Sequence, residues 1–293
     1  MHFRIILYSL ALGQALAAHA ADWPQWRGPT RDGVLPAKGL AMTTLPDQPS
    51  VLWKIKSGEG LASPVVANGS VFHFENRNGN ETMVALSIAD GSEQWAKELS
   101  PVFEDGQGPS GPRCTPVVDN GQVFAQCSRG TLHCLDAKSG KIQWEIDYAK
   151  LGMKFVGEKG RVPGARRHGF TNAPLVVGGM VYATVGGKGH GVVCFNRTNG
   201  KVIWNALDYE PGYAPPVPAV LAGRQQFICF FVDGVVGVDV RNGAELWKIP
   251  MKTDYGRHVA APLSHKDIVV AGSHQVGLQG IRVSRKGDKL SAA

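Results

Sequence analysis

Residues 135–144 read Leu-Asp-Ala-Lys-Ser-Gly-Lys-Ile-Gln-Trp, and the same frame returns three more times along the chain. The other copies run from Leu86 to Trp95, from Phe195 to Trp204 and from Val238 to Trp247. In each a tryptophan follows a glycine by four residues: Gly91 and Trp95, Gly140 and Trp144, Gly200 and Trp204, Gly243 and Trp247. Matches in register at four places mark internal repetition. A second element precedes each copy, with its proline 24 to 27 residues before that glycine. It reads small residue, proline and apolar residues around Pro64, Pro116, Pro174 and Pro218, with a turn glycine five positions on at Gly69, Gly121, Gly179 and Gly223. A fifth start at Pro262 has Asp267 in the glycine slot, and Ser291 stands where its tryptophan would be, after Gly287.

One copy has the pattern of a four-stranded antiparallel sheet. Alternating apolar residues such as Val65, Val71, Val84 and Leu86 suit half-buried strands. Hairpin turns fall at Asn78-Gly79, Arg129-Gly130, Asp233-Gly234 and the glycine-rich stretch 186–189. Asp136, Asn196 and Asp239 begin turns in which a short side chain accepts nearby backbone N–H groups, and the glycine that follows takes positive φ cheaply. The indole on the last strand has a large apolar body and one N–H to satisfy, so it suits a wedge between neighbouring sheets. A single such sheet exposes both faces, and radial stacking buries them. The expected fold is all-β, a β-propeller of about five blades.

These repeats resemble the pyrroloquinoline-quinone (PQQ) type of propeller repeat, whose mark is Ala/Cys-Leu-Asp-x-x-Thr/Ser-Gly-Lys-x-x-Trp. The resemblance spans roughly residues 51 to 290. It implies the fold and leaves the activity open, because that family includes quinoprotein dehydrogenases, the propeller lipoprotein of the outer-membrane barrel-assembly machine and exported proteins of unknown role. The opening Asp22-Trp23-Pro24-Gln25-Trp26-Arg27-Gly28-Pro29 resembles that of exported members, and implies a segment lying over the propeller face. Trp53, in Val51–Ile55, looks like the outermost strand of a blade with nothing before it. Either residues 51–56 complete a five-bladed ring, or the chain stops short of the seven or eight blades usual in the family. The second is the expectation, since eight blades of roughly 40 residues need well over 300. The docking residues of the scaffold are then Trp53, Trp95, Trp144, Trp204 and Trp247 with Gly91, Gly140, Gly200 and Gly243.

Composition agrees with short strands and frequent turns. The 293 residues are 43% hydrophobic and 19% charged, which excludes a disordered or collagen-like chain, and 37 glycines with 18 prolines argue against long helical bundles. The first residues read as an export signal: a basic start at Arg4, an apolar run from Ile5 to Ala17, and Ala18-His19-Ala20 ahead of the cleavage point. No cysteine follows, so no lipid anchor is indicated, and no later run has transmembrane length. The expected organisation is a signal peptide over 1–20, an N-terminal extension over 21–50 and a propeller over 51–293, with repeats near 51–99, 100–148, 149–209, 210–252 and 253–293. The expected location is periplasmic or secreted. Five cysteines (Cys114, Cys127, Cys134, Cys194, Cys229) cannot all pair within one chain. One bridge between Cys127 and Cys134 is conceivable, and five small buried apolar residues is the simpler reading.

Chemistry is expected on the loops that run from each tryptophan strand to the next proline. Two are long, 21 residues from Trp95 to Pro116 and 30 from Trp144 to Pro174, against 14 and 15 for the later pair. Residues 149–171 carry Lys150, Lys154, Lys159, Arg161, Arg166 and Arg167 against Glu158 alone, most of the net charge of +7. Arg113, His168, Tyr213, Arg257 and His258 stand just before the repeat prolines. Converging, they would make a cationic, partly aromatic funnel for a protein partner, an anionic small molecule or an anionic polymer. Scattered, they are a solvated basic loop and surface histidines.

The reading is therefore an exported binding or scaffold module with its ligand on the long-loop face, no catalytic residues, no metal ligands and no committed cofactor. The alternative is a PQQ- and calcium-dependent quinoprotein alcohol or sugar dehydrogenase, or a fragment of one. The resemblance implies that such an enzyme binds calcium through acidic and amide side chains beside a vicinal disulfide, with an Asp as base. The sequence has no Cys-Cys pair, and Glu104, Asp105 and Asp254 are its loose loop carboxylates. No nucleophile elbow, phosphate-binding loop or zinc spacing appears, and charge concentrated in one loop of an exported chain argues against nucleic acid.

Overall fold

The computed structural model describes residues 22–35, 47–106, 108–153, 155, 157 and 164–293. The signal-peptide reading of residues 1–20 lies outside them, as do Lys154, Glu158, Lys159 and Arg161 and the side chain of Arg166.

Five four-stranded antiparallel sheets follow one another in chain order. The first comprises β1 (Val65–Ala67), β2 (Ser70–Arg77), β3 (Asn80–Ser87) and β4 (Glu93–Pro101). The second comprises β5 (Val117–Asp119), β6 (Gln122–Gln126), β7 (Thr131–Asp136) and β8 (Ile142–Asp147). The third has β9 (Leu175–Val177), β10 (Met180–Ala183), β11 (Val192–Asn196) and β12 (Val202–Ala206). The fourth has β13 (Val217–Leu221), β14 (Arg224–Phe231), β15 (Gly234–Asp239) and β16 (Glu245–Pro250), and the fifth β17 (Leu263–His265), β18 (Ile268–Ser273), β19 (Gly277–Lys286) and β20 (Lys289–Ala292). These sheets are the blades of an all-β propeller. The only helical pieces among the described residues are the turns Tyr148–Leu151 and Ala165–His168 in the longest loop.

Each junction between successive blades buries its own apolar cluster. Phe72, Phe74, Met83, Val123 and Leu135 join the first blade to the second. Phe124, Leu132, Trp144, Val181 and Phe195 join the second to the third. Tyr182, Cys194, Phe227 and Val236 join the third to the fourth, and Ile228, Phe230, Trp247, Val269 and Ile281 the fourth to the fifth. Among the described residues no such cluster joins the fifth blade to the first. The fifth has its own outermost strand in β20, so residues 51–56 do not supply it, and Val51 and Leu52 are 79% and 82% exposed.

The tryptophan repeat acts as a docking device. In the first four blades the pairing of the last two strands slips by one residue just beyond the tryptophan's partner, at Ala85/Leu86, Cys134/Leu135, Cys194/Phe195 and Gly237/Val238. Such a bulge re-aims the side chain beside it. Trp53, Trp95, Trp144 and Trp204 lie against Gly91, Gly140, Gly200 and Gly243 of the following blade, all at positive φ. A β-carbon at Gly140 would stand 2.6 Å from the Trp95 ring, so glycine is needed there for space as well as for backbone conformation. Three indoles donate Nε1–H to a carbonyl of that blade: Trp53 to Ile88 at 2.9 Å, Trp95 to Ala137 at 3.0 Å and Trp144 to Arg197 at 2.8 Å.

Trp247 departs from the docking expected of it. Its indole is in the cluster between the fourth and fifth blades, yet its Nε1 donates to Gln226 Oε1 of its own blade at 2.6 Å, and open space surrounds Gly287. The residues paired with the other tryptophans are Ala85, Cys134 and Cys194, whereas Trp247 faces Gly237. A β-carbon there would overlap Trp247 Nε1. The missing side chain gives the indole room to lean into its own sheet.

The segment Asp22–Leu35 crosses the inner strands of three blades. Trp23 exchanges two backbone hydrogen bonds with Val66 of β1, Val118 N of β5 donates to Pro24 O at 2.7 Å, and Arg31 Nη2 donates to Val176 O of β9 at 3.1 Å. All five cysteines are free and buried, which removes the Cys127–Cys134 bridge, and burial pushes their thiols up, to about 12 at Cys134 and Cys229.

Candidate functional site on the long-loop face

The loops entering the inner strands bring four of the expected residues together. Arg113 closes the loop between β4 and β5, His168 ends the short helix before β9, Tyr213 precedes β13 and Arg257 precedes β17. At their centre is Asp105, whose side chain is only 1% exposed. Its Oδ2 accepts from Arg113 Nη1 at 3.0 Å and faces His168 Nδ1 at 3.2 Å. His168 Nε2 lies 3.4 Å from Arg257 Nη2. An arginine can only donate, so Nε2 accepts and the proton sits on Nδ1, toward Asp105. Burial lowers the His168 pKa, with Asp105 opposing and Arg257 and Arg167 reinforcing the shift, so the neutral ring is favoured.

Tyr213 stands beside this group. Its hydroxyl donates to Gly164 O at 2.8 Å. Burial pushes its pKa up to about 12 against the pull of Arg257, Arg167 and Arg113. Arg113 thus pairs with Asp105, Arg257 touches His168, and Arg167 acts through its charge on both His168 and Tyr213. Glu81, on which Arg113 also acts, is buried and held toward its neutral form by desolvation, with both carboxyl oxygens bonded to Ser128. Among these described groups the cations outnumber the acids.

His258 does not join the cluster through its ring. It is fully buried, stacks on Phe230 with centroids 4.1 Å apart, and donates from Nε2 to Val232 O at 3.1 Å. Its carbonyl takes the backbone N–H groups of Tyr213 and Ala214, so it shapes the loop that carries the tyrosine. Arg166 lies one residue before Arg167 in the short helix.

Next to the cluster is a cavity of about 190 Å³ lined by Trp26, Ser63, Arg113, Thr115, Thr171 and Tyr213 among others. Trp26 and Asp105 were not among the expected binding residues. Asp105 was readable only as a loose carboxylate, because nothing in the local sequence shows that Arg113 and His168 close over it. Trp26 carried a signal, the tryptophan-rich opening, but no indication of which residues it meets.

The residues here do not fit a calcium-bound quinone. Asp105 is engaged by Arg113 and His168, and Asp254 is exposed and bonded to Gln275 at 2.7 Å. Among the described residues no three His, Cys, Asp or Glu side chains gather as a metal site, and the thiols are separate and buried. The cavity is also below the roughly 300 Å³ at which small-molecule sites begin.

Comparison with known proteins places the chain. The family model for outer membrane protein assembly factor BamB, a PQQ-type repeat model, matches residues 41–150 and 106–292. The BamB of Moranella endobia is 26% identical over 76% of this chain and 52% of its own length. That of Yersinia pestis is 24% identical over 77% and 55%. The chain thus spans about half the length of these curated relatives. The crystal structure of BamB from Moraxella catarrhalis superposes with a TM-score of 0.52 at 16% identity, covering 80% of this chain and 62% of that one. That likeness supports the fold alone. The continuous run of matched repeats, together with five blades built on their tryptophans, makes this chain a member of the PQQ-type propeller family of outer membrane protein assembly factor BamB.

Proposed function

We infer that this chain is a protein-binding propeller of the bacterial envelope that takes part in outer membrane protein assembly, as the names of its relatives describe. The observation that carries this reading is the gathering of Arg113, Arg167 and Arg257 with Asp105, His168 and Tyr213, on the loop face of a scaffold shared with that family. A positive, partly aromatic face on a rigid frame favours an acidic protein surface, through faster encounter and through selection against basic partners. Residues 1–20 would direct export, 21–50 would form the extension and 51–293 the propeller, and the site of action would be the periplasmic side. No helix among the described residues is long and apolar enough to cross a membrane.

The test uses the full chain in cells. A photoreactive benzophenone residue replaces Tyr255, a half-exposed aromatic beneath Arg257 at 5.1 Å, and adducts are identified with and without Arg167→Glu and Arg257→Glu. The expected result is a covalent adduct with an outer-membrane assembly protein, reduced about tenfold or more by charge reversal while the melting temperature stays within a few degrees. An adduct indifferent to charge reversal sinks the reading.

A further inference from the structure

The Arg113 side chain is 9% exposed, and only part of its donor capacity is used. Nη1 binds Asp105, while Nε and Nη2 are buried and have no hydrogen-bond partner among the described residues. Buried donors are nearly always satisfied, so two on one side chain call for an explanation. The nearby acids do not supply one. Asp105 is engaged with Nη1 and His168, and both Glu81 oxygens are taken by Ser128. Phe103 lies against the guanidinium, 5.8 Å from its ring centroid, which helps hold the plane.

The orphaned pair has a specific geometry. Nε–H and one Nη–H project in parallel along one edge of a guanidinium, the edge that receives a carboxylate with two matched hydrogen bonds. Arg113 is a wall of the 190 Å³ cavity whose other walls include Trp26, Thr115 and Thr171. That volume holds a small group and is too tight for a fused-ring cofactor.

We propose that the cavity beside Arg113 is a carboxylate-binding site, in which a turn of the guanidinium brings its Nε/Nη2 edge, closed off from water in this structure, onto a carboxylate from an acidic side chain or chain terminus of a protein, or from a small free acid. This rests on the reading of the loop face as a binding face and names the chemical group it takes. Binding is a hydrogen-bonding event with no covalent step.

The test observes the arginine directly. Full-length protein carrying ¹⁵N-labelled arginine is titrated at constant ionic strength with acetate, with succinate, with a short acidic peptide, with the same peptide amidated at its C-terminus, and with inorganic phosphate. The Arg113 Nε–H resonance is assigned by its loss in Arg113→Lys, a variant that keeps the positive charge opposite Asp105 but has no parallel edge. The expected result is a saturable downfield shift of that resonance by at least one carboxylate probe. The binding that probe shows, followed through shifts of the neighbouring backbone amides, weakens about tenfold or more in Arg113→Lys. Tighter binding of the peptides than of the free acids identifies a protein source, and the reverse identifies a small acid. No shift with any carboxylate up to about 100 mM, equal binding by Arg113→Lys, or preference for phosphate overturns the proposal. The crosslinking at position 255 is read independently, so loss of this site and loss of the protein-binding reading are distinguishable.

Discussion

The junction between the second and third blades and the junction between the fourth and fifth solve the same problem differently. In the first, Trp144 reaches across to Gly200 and hands its N–H to the Arg197 carbonyl of the next sheet. In the second, Trp247 keeps its N–H within its own sheet, on Gln226, and β16 runs alongside β20 with no indole over Gly287. The difference traces to one position, the partner of the tryptophan on the neighbouring strand. Cys134 fills the space beneath Trp144, whereas Gly237 leaves it open beneath Trp247. An outward indole joins two blades through a hydrogen bond as well as through apolar area. An inward one leaves the joint to apolar contact and to bonds made elsewhere, such as that from Ala222 N–H to Asp267 Oδ1 at 2.6 Å.

The largest effect expected from this contrast is that of Trp144→Ala. It removes a buried aromatic side chain and strands the Arg197 carbonyl, and should cost about 3–5 kcal/mol. Chemical denaturation should show it, with hydrogen exchange faster on both sides of the second junction and little changed in the fifth blade. A loss below about 1 kcal/mol would mean the indole is not what joins these sheets.

Two glycine-to-alanine substitutions sharpen the comparison. Gly200→Ala forces a methyl group against the Trp144 ring, 2.9 Å away, at φ +69, and should cost about 2–3 kcal/mol through overlap added to left-handed strain. Gly237→Ala has no such backbone conflict and should cost about 1–3 kcal/mol by evicting the Trp247 N–H from its own sheet. The indole ¹⁵N–H resonance of Trp247 should move in the second variant. A neutral Gly237→Ala with an unmoved resonance would show that the glycine does not set the direction of the indole.

The smallest effect is that of acid. Burial lowers the pKa of His133 in β7 to about 4, and lowers those of His168 and His258, from an ordinary value of 6.5. A histidine held neutral in the fold stabilises it fully above about pH 6.5, and this contribution is lost as pH falls toward about 4, because the unfolded chain takes up the proton first. Glu81, raised by burial, works in the opposite sense and offsets part of the loss. The net expectation is a decrease on the order of 2 kcal/mol between pH 7 and pH 4.5, read from denaturation midpoints at each pH. His133→Gln should flatten that slope. A melting temperature that rises on acidification would contradict the sign.

The fold was legible because its signals are local and repeated. Gly140 to Trp144 places a positive-φ turn and an indole within one hairpin, and Asp136 accepts the Ser139 N–H at 2.8 Å within the same turn, as its side-chain chemistry implies. The candidate site was legible only in outline. Arg113, His168, Tyr213 and Arg257 share a place in the repeat, so stacking the repeats brings them near one another. His258 shares that place too, yet its ring goes to Phe230. Neighbours one residue apart in such a loop can face opposite ways, and no periodicity governs which.

The chain's own order of residues is enough to establish the repeat, the strands, the docking tryptophans and the basic character of the long loops. Each of these follows from contacts within about fifty residues or from composition. Only the tertiary structure decides that Asp105 joins Arg113 to His168, that Trp26 comes back to wall a cavity with Arg113, and that Trp247 turns inward. Those outcomes depend on which side chains from four separate loops compete for the same small volume, and that competition is settled by packing and desolvation once the blades have stacked.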